Sequence, residues 1–366
     1  MKKVIGILIS FALFFSTSSI TLAKSEKPGF TEALMNIDKL KSYSILQAIS
    51  AKIEMDNDEG VISCNTRINL NGQIEAGESA LKRKGSQKVG VFLNCQYNSE
   101  NKDELPFEAF YINANGEIMS FGQEEIFARI TDMSITAKGV KEKEEYEEMR
   151  SEILKAVQTY KNQWIRIGME SELLQEDSLM VTRSDLTEME KEIEKAIKEK
   201  EGGELLKAVF AIGIDEGVRE GLIEEADGIK MKKAIDSIAS AQIFNTREIV
   251  SGKNKGYQFF TLNKNSLVNL IKEVAEMIIE QEVGLEEVME LKKALSGIKL
   301  AGMFNIEDEY GILDNLFVRL SVSGNETIAG MDITYRHKIR NINKNNPIKK
   351  PKEYVEVEDL IEQLEY

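Results

Sequence analysis

The sequence predicts an α+β protein: an antiparallel β-sheet built from both ends of the chain, with helices from the middle over its apolar face. Three observations predict it. Long runs near both termini alternate apolar and polar side chains, the two-residue period of strands with one buried face. Between them, over residues 141–297, the spacing becomes helical. Only four prolines occur in 366 residues (Pro28, Pro106, Pro347, Pro351), and none breaks a long periodic segment.

The composition bounds what such a fold can do. Hydrophobic residues are 42% and charged residues 30%, which is enough to bury a core. Lys plus Arg is 47 against 62 Asp plus Glu, a net charge of −15 with no basic stripe. Nucleic acid is therefore not an expected partner, because phosphate contacts need clustered cations. One histidine, His337, and two cysteines exclude a His-rich or Cys-rich zinc site.

The first residues read as a targeting segment. Lys2 and Lys3 precede Val4–Phe15, which is apolar apart from Gly6 and Ser10, and Thr21-Leu22-Ala23 offers a small-x-small cleavage site. Residues 1–23 are read as a signal peptide of bacterial type. The rival is an uncleaved anchor over 4–23, which Ser16, Thr17, Ser18, Ser19 and Thr21 disfavour. No cysteine lies at the junction, so no lipid attachment is expected. The expected location is secreted or periplasmic, in the cell envelope, with no transmembrane span after cleavage.

The elements follow in order. Thr31 can cap a short helix carrying Leu34, Ile37 and Leu40. Tyr43, Ile45, Ile49, Ile53 and Met55 then form one face of a strand, and 56–60 a turn. From Ile62 to Ile74 the even positions are Ile62, Cys64, Thr66, Ile68, Leu70, Gly72 and Ile74, against polar odd ones; from Val89 to Tyr97 the odd positions are apolar (Val89, Val91, Leu93, Cys95, Tyr97). Pairing these runs about Ser79–Ala80 sets Cys64 opposite Cys95, within disulfide reach. In an exported chain that bond persists; the alternative is two buried free thiols. Residues 107–112 and 117–121 flank a hairpin signal, Asn115-Gly116.

The middle holds a helix over 141–161 and an extended piece from Trp164. A helix capped by Ser184 carries Leu186, Met189, Ile193 and Ile197. Further helical segments span 204–240, 265–282 (capped by Asn265 or Ser266) and 285–295, with a hairpin near 243–262. Strands return at 298–343, turning at Asp308–Gly311 and Gly324-Asn325. A basic, Asn-rich stretch, Arg336–Lys352, reads as a charged tail over an acidic body, and a helix over 355–365 closes the chain. Residues 24–366 read as a single α+β domain.

The order of an export signal, a short helix ending in Leu40-Lys41-Ser42-Tyr43-Ser44, and long alternating strands resembles the LolA/LppX-like superfamily of exported lipoprotein- and lipid-carrier half-barrels. Tyr160-Lys161-Asn162-Gln163-Trp164-Ile165-Arg166-Ile167 and the closing stretch Pro351–Leu360 fit the same layout. The resemblance implies a strongly curved half-barrel sheet with helices in its mouth and acyl chains in the apolar space between them.

No catalytic constellation emerges. A Ser-His-Asp triad would need His337, which lies between Arg336 and Lys338 and reads as a solvated strand-end histidine. No Gly-x-Ser-x-Gly elbow and no phosphate loop is present. The run Asp56–Gly60 is a turn rather than a calcium loop, since the twelfth position would be Arg67. What remains is the apolar sheet face, with lining candidates Ile45, Ile49, Ile53, Ile68, Leu70, Val91, Leu93, Phe304, Val318, Leu320 and Ile333. Either a cavity is left between sheet and helices, or helix stripes such as Leu267/Ile271/Val274 fill it. The expected function is non-catalytic binding of a lipid or other hydrophobic ligand, with no cofactor and no metal. The alternative is a structural or protein-interaction module of the envelope with a solid core.

Overall fold

The computed structural model describes residues 33, 36–57, 60–77, 83–98, 108–122, 125–168, 202–219, 221, 223–250, 252, 256–279, 283–323, 328–344 and 347–357. The signal peptide, the helix expected from Ser184 and the turn at Gly324-Asn325 lie outside the described residues. The fold is α+β. In chain order the elements are β1 (Ser42–Asn57), β2 (Gly60–Glu75), β3 (Lys84–Asn98), β4 (Ala109–Phe121), β5 (Glu125–Lys138), α1 (Lys143–Tyr160), β6 (Ile165–Gly168), α2 (Gly202–Arg219), α3 (Glu225–Ser240), β7 (Phe244–Glu248), β8 (Gln258–Leu262), α4 (Lys264–Ile279), α5 (Leu285–Ser296), β9 (Ile298–Ile306), β10 (Leu313–Ser323), β11 (Ile328–Arg340) and β12 (Val355–Glu356).

The strands form one open twelve-stranded sheet in the order β12-β6-β5-β4-β3-β2-β1-β11-β10-β9-β8-β7. The first and last long strands meet at its centre: β1 pairs antiparallel with β11 from Ser44↔Arg340 to Met55↔Ile328, as the two terminal alternating runs predict. The chain packs as two compact units, one of residues 1–39 and 179–315, the other of residues 40–178 and 316–366.

The first unit carries α2 to α5 and is called the helical unit. Helix α4 presents Leu267, Leu270, Ile271 and Val274 on one side, at the i, i+3, i+4, i+7 spacing of an amphipathic helix. All four are buried, with Leu267 wholly enclosed. They share a core with Ile235 and Ile238 of α3 and Leu291 and Leu295 of α5. The cap of α4 is Asn263, whose Oδ1 accepts the Ser266 N–H at 3.2 Å, rather than Asn265 or Ser266. Phe304 of β9 is fully buried here beside Phe260.

The second, the sheet unit, holds β1 to β6, α1, β11, β12 and most of β10. Two of its local features depart from the sequence reading. Asn115-Gly116 is not a turn: β4 runs through it, and a bulge sits there opposite β5, where the register jumps from Asp132 to Ile130. A Cβ on Gly116 would come within 2.7 Å of the Arg129 carbonyl oxygen, so glycine permits the close backbone approach at the bulge. Val355–Glu356 is a strand that pairs parallel to β6; Val357 is helical, and the rest of the helix expected over 355–365 lies outside the described residues.

The basic stretch is pinned rather than loose. Past β11 the Asn343 N–H donates to the Ser42 carbonyl (2.7 Å), the Ile348 N–H to Glu75 Oε2 (2.9 Å) and Lys350 Nζ to Glu125 Oε1 (2.7 Å). The chain thus passes from the start of β1 by the end of β2 to the start of β5 before joining β6.

Candidate functional site

Backbone register places the candidate residues. One row across the sheet unit reads Ile333, Ala51, Thr66, Leu93, Ile112, Ile135, from β11 through β1, β2, β3 and β4 to β5. The neighbouring row reads Tyr335, Ile49, Ile68, Val91, Ala114, Met133; another reads Met331, Ile53, Cys64, Cys95, Phe110, Ala137. Directly opposed residues share a face, so these rows form one apolar surface six strands wide. The row on the other side, Asp332, Lys52, Asn65, Asn94, Tyr111, Thr136, is polar. Arg319 of β10 bonds Asp332 on that polar side, so Val318 and Leu320 alternate onto the apolar one.

Cys64 and Cys95 are joined in a disulfide between Cα atoms 4.0 Å apart, the pairing the two alternating runs imply. It fits an exported protein, since such bonds persist in oxidising compartments. Among the described residues no helix is long and apolar enough to cross a membrane, and no group of His, Cys, Asp or Glu is arranged to hold a metal.

The lining candidates other than Phe304 all lie in the sheet unit; Phe304 belongs to the helical unit. Of those in the sheet unit only Ile45 is buried, while Ile49, Ile53, Ile68, Leu70, Val91, Leu93, Val318, Leu320 and Ile333 are half-buried. Toward the β4–β5 side the same surface opens further. Ile118, Ile126 and Ile130 are 41%, 36% and 38% exposed. Helix α1 lies against β5, where the Arg150 Nε–H donates to the Ile135 carbonyl at 2.8 Å, yet none of its residues is buried.

A polar group stands within this apolar surface. His337 is opposite Gln47, and Tyr335 is its neighbour two residues back on β11. The Gln47 amide donates to the Tyr335 hydroxyl at 2.9 Å and faces His337 Nδ1 at 3.4 Å. His337 is therefore not a solvated strand-end residue. Arg336 and Lys338 alternate to the other face, and burial holds the imidazole below its ordinary pKa, hence neutral at pH 7. Burial likewise pushes the Tyr335 hydroxyl up, partly offset by the hydrogen bond from Gln47. His337 Nε2 is buried and has no hydrogen-bond partner. A signal for this group exists in the sequence: Gln47 and His337 occupy apolar-phase positions in Tyr43–Met55 and Met331–Ile339.

The chain matches no protein-family model, no curated protein and no solved structure.

Proposed function

We propose that this protein is an exported, non-catalytic binding protein that holds a lipid or other hydrophobic ligand against the apolar face of the sheet unit. The reading takes the sheet as a half-barrel with helices over its mouth, in the manner of the LolA/LppX-like carriers that the layout resembles. One observation carries it: six adjacent strands present apolar side chains in register, yet the middle of that surface stays half-exposed. Exposed apolar area is costly in water, and each methylene of an acyl chain laid on it gains about 0.8 kcal/mol. A chain of a dozen or more carbons would supply ample driving force even after ordering costs.

The test is mass spectrometry of an organic extract from protein purified without detergent, followed by titration of the stripped protein with a fluorescent acyl probe. Recovery of acyl lipid and saturable probe uptake are expected. Leu93→Gln, which sets an amide in the middle of the surface, should weaken uptake at least tenfold while the fold is kept. An empty extract together with no saturable uptake would overturn the proposal and leave an envelope interaction module, detectable by cross-linking to a protein partner.

A further inference from the structure

The polar face of the sheet unit holds a feature that the carrier reading does not use. Among the described strand residues of this unit, the exposed large apolar side chains are Met55, Phe92, Ile118, Ile126 and Ile130. Four of them lie on the apolar face; Phe92 stands on the other, 41% exposed. A single exposed ring is ordinary. Its surroundings are not. Register sets Arg67 and Asn113 directly opposite Phe92 on the two neighbouring strands. Asn65 and Asn69 flank Arg67 on β2, Tyr111 and Asn115 flank Asn113 on β4, and Asn94 and Gly90 flank Phe92 itself. Asparagine is disfavoured in strands, yet it takes five of these nine positions. A face that needs only to be wet is served by threonine, which strands favour.

The groups around the ring are planar and hydrogen-bonding. The Arg67 Nε–H donates to Asn69 Oδ1 at 3.2 Å, which holds both side chains together beside Phe92. In the row of Asn69, Gly90 has no side chain, and Asn115 Oδ1 lies 3.2 Å from the point a Cβ would occupy. The result is a bare dent next to the ring, with an amide oxygen on its wall. Tyr111 supplies a second ring, on the diagonal about 7–8 Å from Phe92. Arg67, Asn69, Asn113 and Asn115 are exposed, so a ligand reaches them from solvent.

This mixture has a particular complement. Nucleic acid would need clustered cations, whereas on this face Arg319 pairs with Asp332 and Arg129 with Glu117. The core of a protein interface would be more continuously apolar. A sugar ring has an apolar C–H face, which stacks on an aromatic ring, and a rim of hydroxyls, each both donor and acceptor. Amides match that rim because they too offer both roles.

We propose that Phe92 and Tyr111, ringed by Asn65, Asn69, Asn113 and Asn115, form a platform for an extended β-1,4-linked glycan laid flat on the polar face of the sheet unit. A sheet face suits a flat, ribbon-like chain better than a coiled, α-linked one. No bond is made or broken; the platform selects by stacking and hydrogen bonding. It lies on the face opposite the one proposed for the hydrophobic ligand, so either reading can fail without the other.

The experiment titrates the full-length protein calorimetrically with cellohexaose, chitohexaose and maltohexaose. At least one of the two β-1,4-linked hexaoses should bind saturably, about tenfold or more tighter than maltohexaose, and the better of the two identifies the sugar unit. Phe92→Ala should weaken that binding about tenfold or more, as loss of an aromatic anchor does, while Phe92→Trp retains it. Both variants change an exposed side chain and should keep the wild-type circular dichroism. Uptake of a fluorescent acyl probe should stay unchanged in Phe92→Ala, because the probe would use the other face. No saturable binding of either β-linked hexaose overturns the platform, as does equal binding of maltohexaose, or undiminished binding by Phe92→Ala. A protein captured by a photo-crosslinker at position 92, with neither β-linked hexaose bound, would overturn it in favour of a protein contact.

Discussion

The two units use the same apolar residues to different effect. In the helical unit the stripe Leu267, Leu270, Ile271 and Val274 is enclosed by α3 and α5. In the sheet unit Ile49, Ile68, Leu70 and Leu93 sit in equally regular alternation and are only half-buried. Geometry accounts for the difference. A helix stripe is narrow, and one or two neighbours cover it. Six strands about 4.8 Å apart make a face about 24 Å wide, whereas a helix is about 10 Å across. Among the described residues the sheet unit has one helix, α1, beside β5. Periodicity states which face is apolar; covering that face is a separate requirement, set by width.

The largest effect expected from this contrast comes from cutting into the closed core. Leu267→Ala should cost about 2–5 kcal/mol, because the enclosed site cannot collapse onto the cavity. Ile68→Ala, at the centre of the sheet face, should cost about 1 kcal/mol, since part of that side chain is already in solvent. Denaturation followed by far-UV circular dichroism and by fluorescence of Trp164, the single tryptophan, measures both. Equal losses at the two positions would mean that the sheet face is as closed as the helical core, and the comparison would break.

The disulfide sharpens the comparison from the other side. A sheet unit with fewer enclosed side chains depends more on its covalent tie. Cys64 and Cys95 are 31 residues apart, and removing such a link is expected to cost about 2–4 kcal/mol through the entropy of the unfolded chain. The double variant Cys64→Ala/Cys95→Ala should show that loss in the Trp164 transition, since Trp164 belongs to the same unit. Titration of unreduced, denatured wild type should find no free thiol. Loss confined to the helical ellipticity, with Trp164 unmoved, would contradict this assignment.

What could be read in the sequence was whatever obeys a strict period. The alternation of Ile62–Ile74 and Val89–Tyr97 fixed both the face and the register of β2 and β3, and with them the Cys64–Cys95 pair. β5 escaped because a bulge breaks its phase: Ile126, Ala128 and Ile130 share a face with Met133, Ile135 and Ala137, with Thr131 the extra residue. The same bulge lets Asn115-Gly116 sit mid-strand, where thirteen residues of ladder outweigh a local turn preference. Phe304 alternates correctly within β9 but lies in the helical unit, and alternation cannot say which unit buries a strand. His337 was obscured by its charged neighbours in the chain; in a strand those neighbours face the opposite side.

The smallest effect concerns how the sheet unit ties down its C-terminal segment. Lys350 Nζ bonds both Glu125 carboxylate oxygens, at 2.7 and 2.8 Å, and its cation lies 5.3 Å from the Phe127 ring centroid. Arg166 adds a contact to Glu125 at 3.3 Å and one to Glu356 at 3.0 Å. The hydrogen bond from Lys350, with the charges of Lys350 and Arg166, holds the Glu125 carboxyl below its usual range against the opposing effect of burial. A carboxylate with a depressed folded-state pKa contributes stability above its unfolded value of 4.5, and that contribution is lost as pH falls through the folded value. Lys350→Met keeps a stem to pack on Phe127 while removing the charge. Partly exposed pairs of this kind are worth a few tenths of a kcal/mol to about 1 kcal/mol. The variant should therefore melt slightly below wild type at pH 7, and the two curves should converge toward pH 3, read by Trp164 fluorescence. A gap that persists unchanged at pH 3 would assign the tie to packing on Phe127 and Tyr354 rather than to charge.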